Sequence, residues 1–171
     1  VLGRRDYDRR GRNWTAIWCY FCVHGAQGED LEIRFIDLTD EWNEMPSFSW
    51  GENTRPVFSE DGVNWRRFER CQYEVGTRSL TVRHTPASDA LWIAYIEPYP
   101  LATLEALCDR LRSVVPAVDL GTSVQGWHIK AFTFGEGRSG FHAFVIARQH
   151  PWETGTSYAA EGLAEHLAFG A

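Results

Sequence analysis

No run of the chain approaches the ~20 consecutive apolar residues of a membrane span, and the first residues lack the basic-then-apolar order of a signal peptide. These two absences argue against a membrane partner and set the expected location as the cytoplasm. Positive charge is also short. The formal net charge is −6, so no general field would draw nucleic acid or a membrane surface to the protein. The cluster Arg4, Arg5, Arg9, Arg10 and Arg12 is the exception; Asp6 and Asp8 interrupt it, and it reads as a solvated segment. Cysteine is sparse: Cys19, Cys22, Cys71 and Cys108. Cys19 and Cys22 form a Cys-x-x-Cys inside WCYFCV, which reads as a strand, where residues three apart face opposite sides. They can neither share a metal nor easily close a disulfide. All four are expected to be reduced and mostly buried.

Helical periodicity is missing from Trp14 to about Glu97, and short strands with turns fill that length instead. The run TAIWCYFCVHG is a strand stopped by Gly25. LEIRFIDL is a second, with Leu31, Ile33 and Phe35 alternating against Glu32 and Arg34. Thr39 to Asn53 carries no period and is expected to be a long loop pinned by Trp42, Met45, Pro46, Phe48 and Trp50. Asp61-Gly62 signals a hairpin, and Val75 to Arg78 turns a second one in YEVGTRSLTVRHTP. ALWIAYI, Ala90 to Ile96, closes the series. With 44% hydrophobic residues the 171-residue chain can bury a core, and the predicted first domain, residues 1–97, is an antiparallel β-sandwich.

Two prolines in Glu97-Pro98-Tyr99-Pro100 mark a boundary, after which the pattern changes. Leu101, Leu104, Leu107 (or Cys108) and Leu111 fall at helical spacing, and Pro116 ends that helix. Strands around Val118 to Leu120 and Trp127 to Phe134 follow, then a turn from Gly135 to Gly140. Phe141 to Arg148 is apolar on both faces, as in an inner strand of a covered sheet. A helix then carries Ala160, Leu163, Ala164 and Leu167, with Thr154 or Thr156 available as N-cap and Gly170 as stop. The second domain, residues 98–171, thus reads as the opening of an α/β domain.

Between that strand and that helix stand His150 and Glu153, in His-Pro-Trp-Glu. An imidazole and a carboxylate three residues apart across a tight loop can turn toward one point, and open α/β sheets place ligands beyond the carboxyl ends of their strands. By spacing alone the preferred description is a solvent-exposed loop histidine and a glutamate favoured in a helix first turn. His166 is the one further histidine after Glu153, expected to face solvent from the helix. His24 ends a strand, His84 precedes Thr-Pro and is expected to bond backbone, and His128 and His142 fall on neighbouring strands. Arg148 is expected to pair with an acid. Ser123 and Ser139 lack the surroundings of a nucleophile elbow.

The run VIARQHPWETGTSYAAEGLAEHL resembles the zinc-binding strand-loop-helix of the M14 metallocarboxypeptidases, in particular the cytosolic carboxypeptidase subfamily, in which His-Pro-Gly-Glu-Thr supplies two of three zinc ligands. IWCYFCVHG, RPVFSEDGVNWRR, HTPASDALWIAYIEPYP and LGTSVQGWHIKAFTFG are similar, in order, to segments of the same subfamily, so the resemblance covers about Trp14 to Phe169. Trp152 departs from the pattern, which has Gly there; Trp127 replaces a basic residue. The resemblance implies an α+β two-part chain, an N-terminal β-sandwich followed by the first strands and helices of an α/β zinc-carboxypeptidase domain. It implies zinc held by His150 and Glu153. A third ligand, a general base and carboxylate-binding arginines are expected downstream of Ala171. The implied activity is removal of C-terminal residues from peptides or proteins, with the chain a fragment or a truncated relative that is inactive alone and associates with itself through an exposed sheet edge. The alternatives are a non-catalytic sandwich that binds peptide or carbohydrate through Trp42, Trp50 and Trp65, and an assembly role for a dead relative.

Overall fold

The computed structural model describes residues 17–135 and 140–170. The basic cluster of the first residues and the interior of the Gly135 to Gly140 turn lie outside the described residues. The chain divides into two compact units, residues 1–97 and 98–171.

The first unit contains only strands among its described residues. One sheet joins β1 (Tyr20–His24), β9 (Ala90–Ala94), β5 (Val57–Ser59) and β6 (Arg66–Arg67) in that order; a second joins β2 (Leu31–Phe35), β8 (Ser79–His84) and β7 (Arg70–Glu74). All pairs are antiparallel. Both sheets turn alternate side chains inward, so Leu80 and Val82 from β8 meet Leu91 and Ile93 from β9, with Phe58, Phe68, Leu38 and Trp50 filling the space. Gly25 ends β1 as its sequence suggests. Its φ of 76° is a left-handed conformation that suits glycine, and its N–H reaches the Asp89 carbonyl at 3.0 Å. The Asp61-Gly62 turn is held by the Asp61 carboxylate, which accepts from the N–H groups of Val63 and Asn64, from the Asn64 side chain and from the Ser59 hydroxyl. Those donors keep its pKa far below the usual carboxylate range.

Residues 39–53 depart from the expected loop: β3 (Asp40–Trp42) and β4 (Met45–Ser47) form a hairpin there. Asn43 and Glu44 turn it with φ of 51° and 65°, both left-handed, as a two-residue hairpin turn requires. Trp50 beyond it is 2% exposed and packs on Phe35 and Tyr95, so it belongs to the core and not to a binding face. Trp65 meets Tyr20 edge-on. His84 also departs from expectation. Its Nε2 lies 3.1 Å from Glu60 Oε1 and its ring lies over Phe58, so its partner is a carboxylate and not backbone. Cys19 is partly buried against the core, which pushes its thiol up to about 12, and of the four cysteines only Cys108 is buried. The four cysteines are free thiols.

In the second unit α1 (Leu101–Leu111) buries Leu107, Cys108 and Leu111. β10 (Ala117–Thr122) and β11 (His128–Phe132) form a hairpin with a bulge between Asp119 and Gly121. α2 (Thr154–Phe169) follows the His150 loop, and Arg110 of α1 donates to Glu161 and Glu165 of α2 at 2.7 and 2.6 Å. Two expectations fail here. Residues 141–148 join no sheet and Phe141, Phe144 and Ile146 are exposed, because a two-faced apolar strand forms only where neighbours pair with it, and no described strand does. His142 therefore lies on no strand. The N-cap of α2 is Glu153, not Thr154 or Thr156; Thr156 instead donates its hydroxyl to the Glu153 carbonyl. Leu163, Leu167 and Phe169 on α2 are substantially exposed, while Thr154 and Ser157 are its buried residues.

Candidate metal centre

The approach to the loop is set at Arg148, whose φ of 59° is left-handed and costs an L-residue about 1–2 kcal/mol. Two contacts of the surrounding chain hold it there. Its N–H donates to the Thr156 hydroxyl at 3.0 Å, its guanidinium donates to the Tyr99 carbonyl at 3.2 Å, and its Nε is buried without a partner. The expected acid partner is thus replaced by a carbonyl. Tyr99 in turn packs edge-on against Tyr158, whose hydroxyl donates to the Pro98 carbonyl. Bends at 149 and 150 and a turn at 151 and 152 follow, and Pro151 bars any continued pairing.

Two backbone bonds close the loop, Glu153 N–H to the His150 carbonyl and Thr154 N–H to the Trp152 carbonyl. This closure brings His150 Nδ1 within 2.9 Å of Glu153 Oε1. The imidazole is 57% exposed and the carboxylate 39%, so both remain open to an incoming ion. Trp152 lies flat on the imidazole, ring centroids 5.1 Å apart and planes 11° from parallel. Its backbone is not in the left-handed region, so the bulky residue needs no strained conformation where the family pattern has Gly.

The pair supplies one nitrogen and one oxygen donor of the kinds zinc takes. Two ligand atoms ~2.1 Å from a tetrahedral ion stand ~3.4 Å apart, so the 2.9 Å observed lies within about half an ångström of a chelating spacing. Glu153 also sits at the N-terminus of α2, as its N-cap residue. No third His, Cys, Asp or Glu joins the pair among the described residues. His166 is exposed on α2, and His128 faces Asp119 across the β10–β11 hairpin. Sequence reasoning located the pair but missed Arg148 and Tyr99 as its supports; the signal for them, an arginine in a left-handed bend, has no counterpart in composition or spacing.

The family model of the cytosolic carboxypeptidase N-terminal domain matches residues 4–96. The chain belongs to that family. It is 36% identical over 152 residues to an uncharacterized protein of Zymomonas mobilis, covering 88% of this chain and 38% of that protein. It superposes on the crystal structure of a metallo-carboxypeptidase from Burkholderia cenocepacia with a TM-score of 0.75 and 28% identity, over 92% of this chain and 40% of that one. A metallo-carboxypeptidase from Pseudomonas aeruginosa, solved with (2-guanidinoethylmercapto)succinic acid, gives 0.71 and 27%, over 88% and 39%. The chain thus spans less than half the length of the relatives it matches. No helix among its described residues is long and apolar enough to cross a membrane.

Proposed function

We propose that the protein is the front part of a zinc-dependent carboxypeptidase that hydrolyses the last peptide bond of peptides or proteins in the cytoplasm, with His150 and Glu153 as two of its zinc ligands. The observation that carries this reading is the facing of His150 Nδ1 and Glu153 Oε1 at 2.9 Å in a closed loop at the start of α2. Metallo-carboxypeptidase neighbours of the same fold support it, and the free thiols suit a reducing compartment.

When bound, zinc would polarise the scissile carbonyl and lower the pKa of a coordinated water. The chain's own residues prepare for that. Trp152 holds the imidazole plane so that Nδ1, and not Nε2, points at the carboxylate. The start of α2 carries Glu153, and the Arg148 bend sets the loop's entry. A third ligand, the general base and the groups that hold the substrate's terminal carboxylate would be supplied from outside these 171 residues, as in proteins more than twice as long. The exposed Phe141, Phe144 and Ile146 would then pair and pack within a larger sheet, or against a second copy of the chain.

The test is a zinc titration of the full chain, of His150→Ala and of Glu153→Gln, followed by elemental analysis. One site that weakens at least tenfold in each variant is the expected result. A chain that binds no zinc, or variants that bind it as well as the parent, would remove His150 and Glu153 from the metal site.

A further inference from the structure

A cleft of about 400 Å³ opens on the sandwich between the Gly51 to Arg55 turn and the end of β9, far in sequence from the His150 loop. Its volume is in the range that takes a small ligand. Arg55 and Arg67 both line it. Each is pinned by backbone. Arg55 Nη1 donates to the carbonyls of Glu52 and Thr54 at 2.7 and 2.9 Å, and Arg67 Nη1 donates to the Arg55 carbonyl at 3.0 Å. The turn that carries Arg55 is itself closed, Thr54 N–H to the Gly51 carbonyl and Gly51 N–H to the Thr54 hydroxyl. Neither guanidinium has a carboxylate partner among the described residues, whereas Arg34, Arg83, Arg110 and Arg112 all have one. Tyr95 and Ile96 form an apolar wall, and Tyr95 is fixed by its hydroxyl on the Ser49 carbonyl and its ring on Trp50.

Two cations that line one cleft with no carboxylate partner among the described residues repel each other, and an oxyanion bound by both relieves that repulsion while using donors the backbone leaves free. Glu52 is the one acid on the rim among the described residues. We infer that this cleft is a binding site for a small oxyanion joined to an apolar ring or chain, a carboxylate or a phosphate ester, held by Arg55 and Arg67 with its apolar part against Tyr95 and Ile96. The site is independent of the metal loop, so it stands or falls apart from the peptidase reading.

Phenyl phosphate and phthalate, titrated separately into the full 171-residue chain, would be followed by the amide shifts of Gly51, Thr54 and Arg55. Saturable shifts are expected with at least one of them. Binding should weaken at least tenfold in Arg67→Gln, an exposed position whose loss leaves the core intact, and be unchanged in Arg83→Gln, which pairs with Glu32 on the other sheet. Tighter phenyl phosphate assigns a phosphate ester and tighter phthalate a carboxylate. No saturation with either probe, or equal affinity in Arg67→Gln, overturns the site.

Discussion

Trp152→Gly restores the residue of the family pattern, yet it should weaken the metal loop. Trp152 lies flat on His150 with centroids 5.1 Å apart, and such an aromatic pair contributes about 0.5–1.5 kcal/mol beyond its buried area. Glycine adds about 0.5–1 kcal/mol of conformational freedom that must be lost again when the loop closes. Together the change disfavours the closed loop by about 1–2.5 kcal/mol, which is roughly 5–60-fold in an equilibrium constant. Zinc affinity, measured by competition with a chromophoric chelator, should fall by that factor in Trp152→Gly and by less than about threefold in Trp152→Phe, which keeps a ring. Amide exchange supplies a readout that needs no metal: the Glu153 and Thr154 N–H groups, bonded within the loop, should exchange faster by a similar factor. Tighter zinc binding with unchanged exchange in Trp152→Gly would refute the reasoning and make Trp152 an obstruction.

Two more outcomes test the sandwich. Ile93 is 0% exposed on β9, between Phe21 of β1 and Phe58 of β5, so Ile93→Ala should cost about 2–5 kcal/mol. Val63→Ala, at an exposed position of the Asp61 turn, should cost less than about 0.5 kcal/mol; urea midpoints followed by tryptophan emission that coincide for the two would contradict the core assignment. Acid should also loosen this unit. His84 and the Ala87 N–H stabilise the ionised Glu60 and lower its pKa below the ordinary glutamate value of 4.5. The folded state therefore binds fewer protons than the unfolded one there, and the contribution is present above about pH 4.5 and lost as pH falls through the lowered value. Glu60→Gln should flatten the pH dependence of the urea midpoint below that point, and an unchanged slope would show that other carboxylates carry it.

What could be read before the structure follows from which signals are local. The alternation of Leu31, Ile33 and Phe35 reports a sheet face directly, and Asp61-Gly62 names its turn because glycine accepts the φ of 75° found at Gly62. The hairpin of β3 and β4 escaped because its turn is built from Asn43 and Glu44. Only the asparagine is a customary left-handed residue, and Pro46 within β4 argued against a strand at all. Residues 141–148 misled in the opposite direction: apolar character on both faces says that a segment wants two covered sides and two paired edges, but not where those partners come from. At the candidate site the same division holds. Spacing put His150 and Glu153 on one loop, whereas their facing each other depends on the Arg148 bend, and that bend depends on Thr156 and on the carbonyl of Tyr99, 49 residues earlier in the chain. A motif gives the donors of a site, and contacts distant in sequence decide whether those donors converge.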